Sequence, residues 1–185
     1  VSHNNDFIKP LLEAGADGMI VQMVETPEET NKLMKALYFP PLGNRSFGVN
    51  RAHSYGLQFN NYINSWNESG ILIIQIESIK GVNNIEKILK IRGIDAVMIG
   101  PYDISGSLGV PGEINHSKVK EAASHVINEC VSAGISCATQ ISNVSQKNII
   151  KTFDEGYNTI ILSSDLFIIS DWSSNFKKII NELKN

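Results

Sequence analysis

The sequence is poor in several things, and each shortage removes a class of function. Of its 185 residues only two are cysteine. These are Cys130 and Cys137, with no CxxC pair and no Cys/His cluster around them. Neither a disulfide framework nor a structural zinc site is therefore expected, and two buried free thiols are. Charge is scarce too: 16 basic against 19 acidic residues leave a formal −3. That is too mild to imply nucleic acid or an anionic membrane surface as a partner. No apolar run approaches the roughly 20 residues that span a bilayer. The first residues lack a basic stretch followed by an apolar one, so the cytoplasm is the expected location. No GxGxxG turn follows the first apolar run, which counts against a dinucleotide-binding sheet. An initiator Met is also missing, and VSHNND at the start reads as a cut edge of a longer chain.

What is present is a regular alternation. At 42% hydrophobic and 19% charged, the chain can build a single soluble domain with a real core. One phrase recurs: a helical pattern, a glycine, one residue, a polar residue, then an apolar run. It stands at Gly15-Ala16-Asp17, Gly93-Ile94-Asp95, Gly134-Ile135-Ser136 and Gly156-Tyr157-Asn158. Each glycine suits the left-handed position that closes a helix, and each apolar run suits a parallel strand covered on both faces. Strands are expected near 18–24, 71–77, 96–100, 136–141 and 158–163.

Helices are expected between them. Pro10 in FIKPLLEAG is tolerable in a first turn. Thr26-Pro27-Glu28-Glu29 is a capping-box start. Later helices are read at 82–91, 117–133, 144–155 and 172–183, and 42–55 is read as a long loop. This is an α/β pattern. A five-stranded doubly wound sheet is one solution. The polar residues gather at the C-terminal ends of several strands, as in a (β/α)₈ TIM barrel, and that is the fold expected here.

Gln75 and Glu77 are two apart on one strand, so they face one side. Asp103 follows the next strand and the turn Gly100-Pro101. Two carboxylates on neighbouring strand ends suit a hard cation such as Mg²⁺ or Mn²⁺. The competing reading is that Glu77 caps the following helix and Asp103 caps a turn. Among the histidines, His3, His116 and His125 lack a nucleophile or ligand set to work with. His53 sits in the long loop with Arg45 and Arg51, where loop packing competes with a catalytic role. The two arginines could receive a carboxylate or phosphate, or brace the loop. Ser163-Ser164-Asp165 closes the last strand where barrels often bind phosphate, without a glycine-rich backbone.

The order QIES…GIDAVMIGPYDISGSLGVPGE, with EAGADGMIVQMVETPEE and YFPPLGNRSFG upstream, resembles the HpcH/HpaI class II pyruvate aldolases of the phosphoenolpyruvate/pyruvate-domain barrels. The resemblance runs from about Asn5 to about Ile169. It implies a metal-dependent carbon–carbon lyase that cleaves a 2-keto-3-deoxy or 4-hydroxy-2-oxo acid to pyruvate and an aldehyde. The family's metal ligands fall on Glu77 and Asp103, with Mg²⁺ or Mn²⁺ expected and Co²⁺ a further option. Substrate contacts fall on Gln75, on Tyr102 through its backbone N–H, and on Asp103. The chain then forms one barrel domain over residues 1–185 that covers roughly strands four to eight. The first three strands, and the catalytic His and Arg, would lie upstream of Val1, so these residues alone should turn over poorly.

Two departures stand out: Val21-Gln22-Met23 where the family reads VPM, and Glu13 where some members have Asp. A homo-oligomer, a hexamer, is also implied. A citryl- or malyl-CoA lyase-like enzyme, or a non-catalytic barrel remnant, are the alternatives.

Overall fold

The computed structural model describes residues 5–183; His3 lies outside them. The fold is α/β with parallel strands, and the chain divides into two compact units, Val1–Cys137 and Ala138–Asn185.

The first unit carries α1 (Asn5–Glu13), β1 (Gly18–Val21), α2 (Pro27–Leu37), a 3-10 turn (Arg51–Gly56), α3 (Phe59–Ser69), β2 (Ile71–Ile76), α4 (Ile79–Ile88), β3 (Ala96–Ile99), α5 (Pro101–Ser107) and α6 (Ser117–Ala133). β1 pairs in parallel with β2, Val21 opposite Ile74, and β2 pairs with β3, Gln75 opposite Met98. Leu72, Ile74 and Ile76 are fully buried on one face of β2, while Gln75 lies on the other. All four residues of β3 are buried.

Local signals set the boundaries. The Thr26 hydroxyl accepts the Glu29 N–H, and the Glu29 carboxylate accepts the Thr26 N–H, which completes the capping box. Gly134, at φ 69°, closes α6 in the left-handed conformation. Cys130 and Cys137 are buried thiols outside any disulfide, as expected. Cys137 shares a hydrogen bond with the Cys130 sulfur, and that contact together with burial pushes its thiol pKa well up.

Three expectations need correction. Pro10 is not in a first turn but inside α1, where the helix forgoes the bond its N–H would make. β1 stops at Val21 rather than Val24, because Met23 turns left-handed (φ 54°) and leaves the strand. The 42–55 loop contains an ordered 3-10 turn around His53, which is 2% exposed and bonded to the loop backbone at Gly48 and Gly56. Loop packing is therefore the role of His53.

Arg45 resolves in the same way. It is 4% exposed and lies 4.6 Å from the ring centres of both Phe39 and Trp66. Its Nη2 donates to the Tyr62 hydroxyl at 3.0 Å, while buried Nη1 has no partner among the described residues. Aromatic faces thus hold this charge, and it braces the loop rather than presenting itself to an anion. Arg45→Ala is expected to lower stability by about 2–4 kcal/mol, since it empties a packed aromatic box. Arg45→Met should cost clearly less, because it fills the same space without a half-satisfied buried charge. Urea unfolding of both variants checks the order, and equal losses would refute it.

The second unit holds β4 (Ser136–Ile141, which begins in the first), α7 (Gln146–Asp154), β5 (Thr159–Leu162) and α8 (Asp165–Glu182). β4 and β5 pair in parallel, Gln140 opposite Ile161. α8 starts at Asp165, seven residues before the expected Trp172, because Ser164 caps it. None of its described residues is buried.

Candidate metal and substrate site

The site is built from the C-terminal ends of β1, β2 and β3. β2 delivers Gln75 within the strand and Glu77 directly after it. Ser78 then caps α4, its hydroxyl accepting the Gly81 N–H at 3.1 Å. The helix-capping task is therefore done by Ser78, and Glu77 is free of it. Glu77 is instead 6% exposed, and its Oε1 accepts the Met23 N–H at 2.8 Å. The next residue repeats the clamp one step back: the Val24 N–H donates to the Gln75 carbonyl at 3.1 Å. Glu25 completes it, accepting from the Ser78 hydroxyl at 2.7 Å and from Lys80 Nζ at 2.9 Å.

β3 ends just before Gly100, and α5 begins with Pro101. Asp103 lies in the first turn of α5, exposed, and α5 has no side-chain cap, so the turn-capping reading of Asp103 fails as well. The α5 ladder starts with the Ile104 N–H on the Gly100 carbonyl, which leaves the Tyr102 and Asp103 N–H groups outside it. The Tyr102 side chain is exposed.

Gly100 shows how closely these parts meet. A Cβ there would stand 2.8 Å from Glu77 Cβ, 2.9 Å from Glu77 Oε2 and 3.1 Å from Gln75 Nε2. The absence of a side chain at 100 is what lets both β2 residues reach the start of α5.

The electrostatics point one way. Burial raises the Glu77 pKa first, and the neighbouring Asp103 carboxyl, hydrogen-bonded and negatively charged, raises it further; the Met23 N–H pulls it down without reversing the outcome. Among the described residues, no ion pair involves Glu77 or Asp103. Two acids brought together, one of them buried, without a cationic side chain, fit a divalent cation as the missing charge. The described residues hold no group of three or more His, Cys, Asp and Glu for a metal, so among them Glu77 and Asp103 are the acidic pair available here. Two clefts, of 340 and 630 Å³, open elsewhere on the first unit and include neither carboxylate.

The other candidates are used locally. His116 caps α6, and His125 faces Glu129 on the same helix at 4.0 Å. Ser163 is left-handed (φ 59°), donates its N–H to the Ile141 carbonyl at 2.8 Å, and accepts from Gln140 Nε2 at 2.9 Å. Ser164 and Asp165 start α8. Met23 and Gly100 figure in the sequence only as part of a departure from VPM and as part of a turn, with no site role attached to either. Met23 acts through a backbone group that carries no residue signature, and Gly100 acts through an empty volume.

Comparisons with known proteins give a family and a fold likeness. The HpcH/HpaI aldolase/citrate lyase family matches residues 1–170. A 2-keto-3-deoxy-L-rhamnonate aldolase of Salmonella paratyphi B is 39% identical over 127 residues, which are 68% of this chain and 46% of that protein. The protein of the same name in Klebsiella pneumoniae subsp. pneumoniae is 38% identical over 136 residues, 72% of this chain and 51% of that one. The chain thus spans about half the length of the curated relatives it matches. The crystal structure of an HpcH/HpaI aldolase/citrate lyase family protein from Burkholderia cenocepacia J2315 superposes with a TM-score of 0.88 at 25% identity. It covers 100% of this chain and 71% of its own.

Proposed function

This chain belongs to the HpcH/HpaI aldolase/citrate lyase family, and on that premise we propose that it serves a divalent-metal-dependent aldolase. The substrate class is a 2-keto-3-deoxy or 4-hydroxy-2-oxo acid, and the products are pyruvate and an aldehyde. The observation that carries the reading is the Glu77–Asp103 pair: a buried and an exposed carboxylate in contact, with no positive side chain paired to them among the described residues. Glu77 and Asp103 hold Mg²⁺ or Mn²⁺. When bound, the cation supplies Lewis acidity to the keto-acid oxygens. Gln75 reaches the same point from β2 and orients the substrate. The Tyr102 N–H, outside the α5 ladder, donates to its carboxylate, a fixed dipole aimed at a negative group.

In the cleavage direction the C3–C4 bond breaks, the 4-hydroxyl loses its proton, and C3 gains one. No described histidine stands beside the pair, so the base and its assisting arginine come from outside residues 5–183. In this reading the five strands are roughly strands four to eight of a (β/α)₈ barrel domain. The reading also carries a homo-oligomer, a hexamer by resemblance, in the cytoplasm. In support of assembly, Leu166, Ile168, Ile169 and Trp172 on α8 are each at least 62% exposed. No helix among the described residues is long and apolar enough to cross a membrane.

The test is pyruvate release from a 4-hydroxy-2-oxo acid by the full-length protein, followed with a coupled dehydrogenase. Chelation with EDTA is expected to remove at least about 90% of the rate, and Mn²⁺ or Mg²⁺ to restore it, because the two ligands leave the metal exchangeable. Turnover unaffected by exhaustive chelation would sink the metal reading. Turnover of CoA thioesters alone would move the protein to the citryl- or malyl-CoA lyase side of the family.

A further inference from the structure

We propose that Met23 is a positioning residue for the cation: its left-handed backbone aims its N–H at Glu77 Oε1 and leaves Oε2, on the α5 side, as the one oxygen offered to the metal. The inference rests on the metal reading of the Glu77–Asp103 pair and adds to it which oxygen binds and what fixes it.

Four observations carry it. Met23 is a non-glycine residue at φ 54°, a conformation that L side chains avoid. Its side chain is 43% exposed, so burial of the methionine does not repay that strain. What the conformation does achieve is the 2.8 Å bond to Oε1, with the Val24 N–H falling on the Gln75 carbonyl behind it. Backbone strain held at a site and repaid by a contact to a functional side chain is a mark of pre-organisation. Oε2, meanwhile, is the oxygen nearest the space at Gly100, where α5 begins and Asp103 follows. With Oε1 engaged, Glu77 would offer the cation one oxygen, Oε2, on the α5 side. With Oε1 released, the carboxylate would be free to rotate, and Oε2 would no longer be held on the α5 side.

The conformation makes the role testable by residue type. Glycine adopts positive φ freely, so Met23→Gly keeps the turn and its N–H. Valine at positive φ is a steric outlier, so Met23→Val relaxes the turn and withdraws the donor.

The experiment uses the full-length protein labelled with ¹⁵N-methionine, with Mn²⁺ alone as the probe for affinity. The Met23 amide is the peak that Met23→Gly removes. Glu77→Gln is expected to move that amide more than any other methionine amide. Met23→Gly should keep Mn²⁺ affinity within about threefold, and Met23→Val should weaken it by about tenfold or more, as loss of a ligand's supporting hydrogen bond does. A Met23 amide silent to Glu77→Gln, or equal Mn²⁺ affinity in Met23→Val and wild type, overturns the proposal. Should Met23→Val not fold, the amide response decides by itself. A wild type that binds no Mn²⁺ sinks the metal reading, whereas a silent amide in a wild type that does bind it sinks this inference alone.

Discussion

Glu77→Gln is expected to weaken Mn²⁺ binding by at least about a hundredfold, and pyruvate release at limiting metal by a similar factor. Changes around a metal ligand commonly cost about 10–100-fold, and this one removes the charge of one member of the proposed acidic pair. Glutamine keeps the length of the side chain and an oxygen for the Met23 N–H, so geometry alone cannot account for the loss. The metal-free protein should respond the other way. Burial and the Asp103 carboxyl both disfavour a charged Glu77, against the opposing hydrogen bond from Met23. The substitution removes that disfavoured charge, so melting in EDTA should be unchanged or slightly higher. The wild type, by contrast, gains stability from bound metal, about 2.7 kcal/mol when the free ion is a hundredfold above its Kd. That gain should vanish in the variant. Calorimetric titration with Mn²⁺ and thermal melts with and without EDTA test both halves. Wild-type affinity in Glu77→Gln would remove Glu77 from the metal site.

Gly100→Ala should damage the same site without replacing a ligand. Gly100 has φ −104° and ψ 86°, not a left-handed conformation, so it is space rather than backbone freedom that calls for glycine. The added methyl would lie 2.8 Å from Glu77 Cβ and 2.9 Å from Oε2, closer than real Cβ contacts come. Glu77 cannot yield easily, because its other oxygen is tied to Met23. Either α5 shifts with Asp103 or the carboxylate swings. We expect a stability loss of about 1–3 kcal/mol, as for overpacked cores, with Mn²⁺ affinity weakened at least about tenfold. Gly106→Ala, in the same helix, is the control. Nothing lies within 4 Å of its added methyl, so it should be neutral or gain up to about 1 kcal/mol from better helix propensity. Equal behaviour of the two variants would show that the clearance at Gly100 is immaterial.

Much of this site is legible in the order of the residues. A two-residue period puts Gln75 and Glu77 on one side of a strand, and chain order puts Asp103 after the neighbouring one. The capping alternatives for both acids cannot be dismissed from sequence, since Asp and Glu serve as caps as readily as ligands. Only the structure shows Ser78 capping α4 and an α5 start without a side-chain cap. Pro10 misleads for a related reason. Propensity places proline in a first turn, but the packing of Ile8 and Leu12, 1% and 0% exposed, carries α1 through it. The roles of Arg45 and His53 stay open in the sequence because their partners, Phe39, Phe59, Tyr62 and Trp66, come from segments whose proximity no local pattern announces.

The sequence by itself determined the strand–helix alternation, the parallel pairing it demands, and which acidic side chains stand at strand ends. Those are properties of residue type and local period, and each can be read within a window of a few residues. Tertiary structure alone decided that Glu77 is buried against the end of β1, that a backbone N–H of Met23 holds one of its oxygens, and that the missing side chain at Gly100 gives the other its room. A backbone donor has no residue signature, and an empty volume belongs to no residue. Both come into being only when the register of β1, β2 and β3 brings residues 23, 77 and 100 together.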